Sequence, residues 1–387
     1  MQESFEVSAS SGSYRVVVGR SLLKEIITDN PNAIFMVDDH LAPLLPISAD
    51  RRILVKALES NKSLECMSDI VLKLRALGAN RATHLVAVGG GVIQDVATFS
   101  AAVYMRGIRW TYMPTTLLSM ADSFIGGKSS INVWGYKNLI GNFYPPKEVL
   151  IDIDFAASLD AEKVVGGLFE AAKICYARSY QDFQGYLSDG PAAQMPVDNV
   201  QRIIVRALRT KKWFIETDES DQKERLLLNF GHTFGHAIEA GTNFGVSHGI
   251  AVGVGMIVAV EYAKKRGWLS QIGIERTSNL TRHAKSMLTL REGGCIVASP
   301  PAIDLNLVME KFNNDKKHLS DVYRMVCPRG DGELELVSEA KNDDVHRDIA
   351  GAYESALKEI GWQVVAAAGM KAVPGAGAFV PVVSEQT

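Results

Sequence analysis

A buried apolar strand over residues 84–88 runs straight into Gly89-Gly90-Gly91 and then into an Ala- and Val-rich helix over 92–104. A chain that passes from strand to helix on three glycines is held to a narrow class of folds, the parallel α/β sheets with helical crossovers. The flanking sequence keeps that rhythm. Residues 14–18, 33–37, 52–55 and 109–113 read as strands, and 63–77 carries apolar residues at helical spacing. The pattern changes after about Asp154. From 161 to 265 it is mostly helical, so the spacing predicts an α/β domain over 1–158 and a helical domain over 159–365. Residues 366–387, rich in Ala, Gly, Pro and Val, read as a flexible tail, with 379–383 as a candidate edge strand.

Composition narrows the partners. The 387 residues suit two domains, and 22% charged with 47% hydrophobic residues is ordinary for a globular protein. A formal net charge of −3 gives no electrostatic reason to expect nucleic acid or an anionic membrane. Cys66, Cys175, Cys295 and Cys327 are scattered, which argues against a zinc knuckle, a redox pair or a disulfide framework. The start of the chain lacks a signal-peptide pattern, and no apolar run reaches the ~18 residues of a membrane span. A cytoplasmic protein is expected.

Four stretches carry chemistry. Gly89-Gly90-Gly91-Val92-Ile93-Gln94-Asp95 places glycines and a free helix N-terminus after a buried strand, which suits a phosphate. Alone it is equally a tight turn. Its spacing is not that of the usual dinucleotide fingerprint. Next come Pro114-Thr115-Thr116-Leu117-Leu118, Asp122 and Gly126-Gly127-Lys128. The threonine hydroxyls suit ribose or phosphate oxygens, and Lys128 a phosphate or enolate oxygen. In the third stretch, His232 and His236 are four apart and share a helix face, with His248 twelve residues on. A divalent cation there also wants a carboxylate, for which Glu170 and Glu239 are candidates. Finally Lys173, Lys211, Arg225, Lys316 and Lys317, if they converge, would hold a substrate with two anionic groups.

These residues together resemble the sugar phosphate cyclases, the family of 3-dehydroquinate synthase. The likeness rests on Tyr104-Met105-Arg106-Gly107, Pro114-Thr115-Thr116, Gly126-Gly127-Lys128, Lys137-Asn138-Leu139-Ile140-Gly141, Glu170-x-x-Lys173, Arg225, Asn229-x-Gly231-His232-x-x-Gly235-His236, His248-Gly249 and Asp315-Lys316-Lys317, in the family's order from about 14 to 330. The resemblance implies an N-terminal NAD-binding α/β domain and a mostly helical metal-binding domain, with the site in the cleft between them. It implies that Glu170, His232 and His248 hold the metal, zinc or cobalt, and that His236 meets the substrate phosphate instead. NAD would be contacted by Asp38, Glu59, Lys62, Gly90, Gly91, Val92, Asp95, Thr115, Thr116, Asp122, Lys137 and Ser158. Phosphate would meet Lys128, Asn138, Asn229, His236 and Lys317, and a substrate carboxylate Arg225 with Lys211 nearby. Lys128, Lys173 and Asn138 would steady developing negative charge. Arg106 would reach in from a second subunit, which implies a homodimer.

The reaction implied is oxidation by NAD, β-elimination of phosphate, return of the hydride, ring opening and an intramolecular aldol closure. With 3-deoxy-D-arabino-heptulosonate 7-phosphate the product is 3-dehydroquinate, an intermediate of the shikimate pathway. His236 argues against the sedoheptulose 7-phosphate cyclases, Asn229 against the glucose 6-phosphate cyclases, and Arg225 suits a carboxylated substrate. An aminodehydroquinate synthase-like relative, a metal-dependent polyol dehydrogenase and a non-catalytic sugar phosphate binder are the alternatives. The chain departs from the family pattern at His40, Gln94, Thr98, Asp221 and Val133-Trp134-Gly135-Tyr136.

Overall fold

The computed structural model describes residues 2–8, 12–123, 127–134, 136–219, 221–289 and 302–365. Gly126, Gly135, Cys295, the candidate strand at 379–383 and the whole 366–387 tail lie outside them.

The N-terminal part is built from β1 (Glu3–Val7), β2 (Tyr14–Gly19), α1 (Leu22–Asp29), β3 (Ile34–Asp38), β4 (Arg52–Val55), α2 (Leu64–Ala76), β5 (His84–Gly89), α3 (Gly91–Val103), β6 (Arg109–Pro114), the hairpin β7 (Ile131–Val133) and β8 (Tyr136–Ile140), and β9 (Glu148–Asp152). Seven of these strands form one sheet in the order β1-β2-β9-β6-β5-β3-β4. All its pairings are parallel except β1 with β2. The central strands are apolar on both faces because helices cover both, which gives β5 its continuous run Leu-Val-Ala-Val. Local chemistry sets the element ends. Ser63 caps α2 by accepting from the Cys66 amide, and the Asp152 carboxylate ends β9 by accepting from the Ser21 and Leu23 amides. The 3-10 turn Ile153–Ser158 then leads into the first helix of the second part.

That part contains α4 (Ala161–Arg178), α5 (Tyr180–Ser188), α6 (Val197–Thr217), α7 (His232–Gly241), α8 (His248–Lys265), α9 (Gln271–Leu288), β10 (Ile303–Asp304), α10 (Leu305–Asn313), β11 (Val322–Arg329), β12 (Glu333–Ala340), α11 (Asp343–Glu359) and β13 (Val364–Val365). Helix α8 is apolar all round and forms the axis of the bundle, packed by α4, α7, α9 and α11. No helix among the described residues is long and apolar enough to cross a membrane.

The two parts meet along two seams. At one sheet edge α6 packs on β1 and β2, with Arg209 paired to Glu3 at 2.9 Å and the Ser8 amide donating to Glu216. Nearer the middle, the π-helical turn Ser119–Ser123 lies against α4 and α6.

Glycines set how closely the helices of the second part approach. A Cβ on Gly255 of α8 would stand 2.0 Å from the Gly231 carbonyl oxygen, one on Gly235 of α7 2.7 Å from that of Ala251, and one on Gly249 2.5 Å from Gly166 Cα in α4. Backbone therefore lies on backbone where α4, α7 and α8 cross. Gly231 also needs its freedom at φ 74°, where α7 begins. Overpacking of this kind costs about 1–3 kcal/mol. Gly255→Ala is therefore expected to destabilise by that amount, read as a lower urea midpoint at unchanged slope. Gly91→Ala, whose methyl meets nothing within 4 Å, is expected to stay within about 0.5 kcal/mol of the parent.

Candidate active site

Helices α7 and α8 begin on His232 and His248, so both imidazoles stand where free helix N–H groups disfavour a protonated ring. The close crossing of α4, α7 and α8 brings them together with Glu170. Glu170 Oε1 lies 3.3 Å from His248 Nε2 and 3.7 Å from His232 Nε2. Ligand atoms of His232, His236 and His248 all lie within 4.8 Å of one another. Four donors thus converge, one more than the family resemblance calls for.

What lies behind each ring separates them. The Nδ1 of His232 is 3.2 Å from the Phe230 carbonyl, and that of His248 is 3.1 Å from Glu239 Oε2. Both rings are turned so that Nε2 faces Glu170, the orientation an outer partner imposes on a metal-binding imidazole. Among the described residues no hydrogen bond holds a nitrogen of His236, which packs edge-on against His232. Burial, with the Lys173 charge and its histidine neighbours, holds His232 well below its ordinary pKa. Burial, Lys317 and His248 bring His236 down to about 4. Burial opposes charge on His248 too, but its contacts with Glu170 and Glu239 outweigh it and push it up to about 10. One carboxylate and two fixed imidazoles are a donor set suited to a borderline divalent cation.

Beneath this centre lies a buried ionic cluster. Lys173 is 2% exposed and Glu170 1%. Lys173 Nζ stands 2.5 Å from Glu170 and 3.0 Å from Asp122, and Lys211 from α6 closes on the other Asp122 oxygen. Burial opposes both charges of the central pair. The Lys173 ammonium nevertheless keeps Glu170 far below the ordinary carboxylate range, and Asp122 and Glu170 hold Lys173 above its own. Lys211 faces inward to Asp122, and burial lowers its pKa.

A second group of cations gathers beside α7. Lys317 Nζ is buried with no hydrogen-bond partner among the described residues. Burial depresses it, as do the Lys173 and Lys316 charges against the opposing pull of Asp315. Asn229, Lys316, Lys317, Thr233 and Asp221 line a cavity of about 350 Å³. Lys128 reaches to 3.8 Å from Asp221, its pKa lowered by burial and by the nearby Arg225. Arg225 itself is buried and donates to the Glu219 carbonyl, in a turn that the Asp218 carboxylate organises by accepting three amides. A wider cleft of about 700 Å³ opens between the two parts, with Thr116 on one wall and His248 on the other.

The residues expected at the cofactor end lie along the carboxyl ends of the sheet strands, where such folds bind ligands. Asp38 ends β3, Gly90, Gly91 and Val92 open α3 after β5, and Thr115 and Thr116 follow β6. Burial raises Asp38. Lys62 Nζ joins Asp95 at 3.1 Å, Glu59 at 3.4 Å and the Asn138 side-chain oxygen at 3.0 Å. Asn138 thus faces the Lys62 cluster and not the cations around Lys317. Burial pushes Asp95 up to about 6 against the pull of Lys62. Lys137 lies with its Nζ 4.0 Å from the centre of the Phe244 ring, in the turn between α7 and α8. Ser158 is exposed, its hydroxyl donating to the Phe155 carbonyl. Arg106 sits at φ 68° on the exposed turn after α3 and makes no ion pair among the described residues. Sequence reasoning missed Asn132, which ties Glu59 to the Asn138 amide, and Phe244. A single polar or aromatic residue in a short hairpin or turn leaves no periodic signal.

Two outcomes follow from these charges. Lys173→Met leaves the Glu170 carboxylate in the interior without its ammonium, while Asp122 keeps Lys211, and a loss of about 3–5 kcal/mol is expected in chemical denaturation. The raised Asp95 pKa means that the folded chain holds this proton more tightly than the unfolded one, so this group's contribution to stability falls as pH rises from about 4 to 6. The stability of Asp95→Asn relative to the parent is therefore expected to improve across that window, read from urea midpoints at each pH.

Comparison with known proteins agrees with this architecture. Residues 52–166 match the family model for the 3-dehydroquinate synthase N-terminal domain, and 167–318 that for its C-terminal domain. A 3-dehydroquinate synthase of Dictyoglomus turgidum is 33% identical over 354 residues, covering 89% of this chain and 96% of that one. A 2-deoxy-scyllo-inosose synthase solved with carbaglucose-6-phosphate, NAD+ and Co2+ superposes with a TM-score of 0.73 at 22% identity, over 91% of this chain and 99% of that one. The 2-epi-5-epi-valiolone synthase of Streptomyces hygroscopicus, solved with NAD+ and Zn2+, gives 0.70 at 24% identity, over 92% and 99%. At such identities the structural likeness is one of fold, whereas the family models and the Dictyoglomus relative reach the sequence itself. This chain belongs to the 3-dehydroquinate synthase family of sugar phosphate cyclases.

Proposed function

We propose that this enzyme eliminates phosphate from 3-deoxy-D-arabino-heptulosonate 7-phosphate and closes the carbocycle to 3-dehydroquinate, with NAD and one divalent cation, zinc or cobalt. The observation that carries the proposal is the convergence of Glu170, His232 and His248 beside a buried Lys317 ammonium that has no hydrogen-bond partner among the described residues. A cation centre with a phosphate-seeking charge near enough to act on its histidines is what metal-assisted phosphate elimination requires.

Glu170, His232 and His248 would hold the cation. Bound, the cation supplies Lewis acidity toward substrate oxygens, and NAD a reversible hydride acceptor. Lys173 keeps Glu170 ionised at the base of the site and brings a positive charge close to the reacting oxygens. Lys317, His236, Asn229 and Lys128 would take the phosphate, and the charge of the two lysines favours its departure. His236 is left for the phosphate because, among the described residues, no hydrogen bond fixes its ring for metal. Arg225 offers a guanidinium to the substrate carboxylate, with Lys211 deeper in the wall. NAD would lie across the strand ends, met by Asp38, Glu59, Lys62, Gly90, Gly91, Val92, Asp95, Thr115, Thr116, Asp122, Lys137 and Ser158. Asn138 would pass between the two ligands. The domain boundary is taken at 158/159, the working unit as a homodimer that places Arg106 in the neighbouring site, and the compartment as the cytoplasm.

The test incubates the protein with the heptulosonate phosphate, NAD and zinc, and follows inorganic phosphate, product mass and absorbance at the NADH band. Phosphate release with a product of dehydroquinate mass and no net NADH is expected, and His232→Ala is expected to abolish it. Net NADH from a simple polyol would replace this reading with a dehydrogenase. Phosphate release only from the 4-amino analogue or from sedoheptulose 7-phosphate would move the assignment to a related cyclase.

A further inference from the structure

Glu239 stands one helical turn beyond His236 on α7, where the sequence offers it equally as a metal ligand or a surface carboxylate. The geometry assigns it neither role. Its Oε2 lies 3.1 Å from Nδ1 of His248, while Nε2 of the same ring faces Glu170 at 3.3 Å. The two nitrogens of an imidazole point to opposite sides of the ring, so a carboxylate on Nδ1 cannot share a cation bound at Nε2. It can fix the tautomer and aim the ring.

We propose that Glu239 is a positioning residue for the cation centre, holding His248 with its Nε2 lone pair directed at the site. The inference rests on the metal reading above. The surroundings are built for the task. The Glu239 side chain is only 20% exposed, and its own carbonyl accepts from the Phe244 amide at 2.8 Å, which closes the turn leading into α8. The Phe244 ring in turn carries Lys137 of β8. Helix α7 therefore supplies one cation donor directly, His232, and sets the orientation of the other from behind. His232 needs no such carboxylate, because the Phe230 carbonyl already serves its Nδ1. Of the two imidazoles, His248 is the one whose aim depends on a side chain, and so can be lost by substitution.

The test loads wild type, Glu239→Ala and Glu239→Gln with zinc and times release of the metal to a colorimetric chelator. Each is also loaded with cobalt for its visible spectrum. Glu239→Ala is expected to release zinc about 10- to 100-fold faster, with a changed cobalt spectrum. Glu239→Gln retains an acceptor oxygen for Nδ1–H, and is expected to restore the spectrum and most of the retention. Wild-type release and an unaltered spectrum in Glu239→Ala would overturn the proposal, as would equal loss in both variants. Wild-type protein that takes up neither metal would overturn the metal reading itself, a result separable from both.

Discussion

Two carboxylates and two ammonium groups buried within a few ångströms of each other hold this molecule in register. Glu170, Lys173, Asp122 and Lys211 come from α4, α6 and the turn after β6, so the cluster spans the boundary between sheet and bundle. Isolated, any of these charges would be expelled from the interior or neutralised. Together they are electrically balanced, and each is stable only where the others are. The arrangement leaves Glu170 ionised with one oxygen turned toward His232 and His248. A charge that would otherwise be a defect in the core thereby becomes a donor at the bottom of a cleft.

The second constraint is steric. Glycine contacts at 166, 231, 235, 249 and 255 let three helix backbones touch. Two of those helices start on histidines, so the spacing of the backbones sets the spacing of the imidazoles. Burial, with the Lys173 charge and the neighbouring histidines, then holds His232 well below its ordinary pKa. Packing and acid–base chemistry are in this way the same decision.

The parallel core was legible because buried strands and crossover helices leave strong patterns. Predicted and observed limits differ by one residue at β3 and α3, where glycine and aspartate cap the ends. Strands β1, β7, β8 and β9 and the hairpin β11–β12 were not anticipated. β8 is largely exposed and β1 lies at the sheet edge, so neither shows the continuous apolar run of a central strand. Spacing brought His232, His236 and His248 forward without ranking them, and only the family resemblance put His248 before His236. Helical spacing favours His236, whereas what lies behind each ring favours His248, and that depends on a carbonyl and a carboxylate no spacing rule reveals. Asn138 and Lys211 likewise turned out to face partners brought from far along the chain.

The first strand is fastened to α6 by Arg209 with Glu3 and by the Ser8 amide with Glu216, whereas β3 and β4 form the opposite edge of the sheet. The second seam, where Asp122 after β6 meets Lys173 and Lys211, lies at mid-sheet, so both fastenings fall between the β1 edge and the middle. Any widening of the cleft is then smallest beside β1 and β2 and greatest near Lys62 and the β7–β8 hairpin. On that far side the Lys137–Phe244 contact is what joins the hairpin to the turn between α7 and α8.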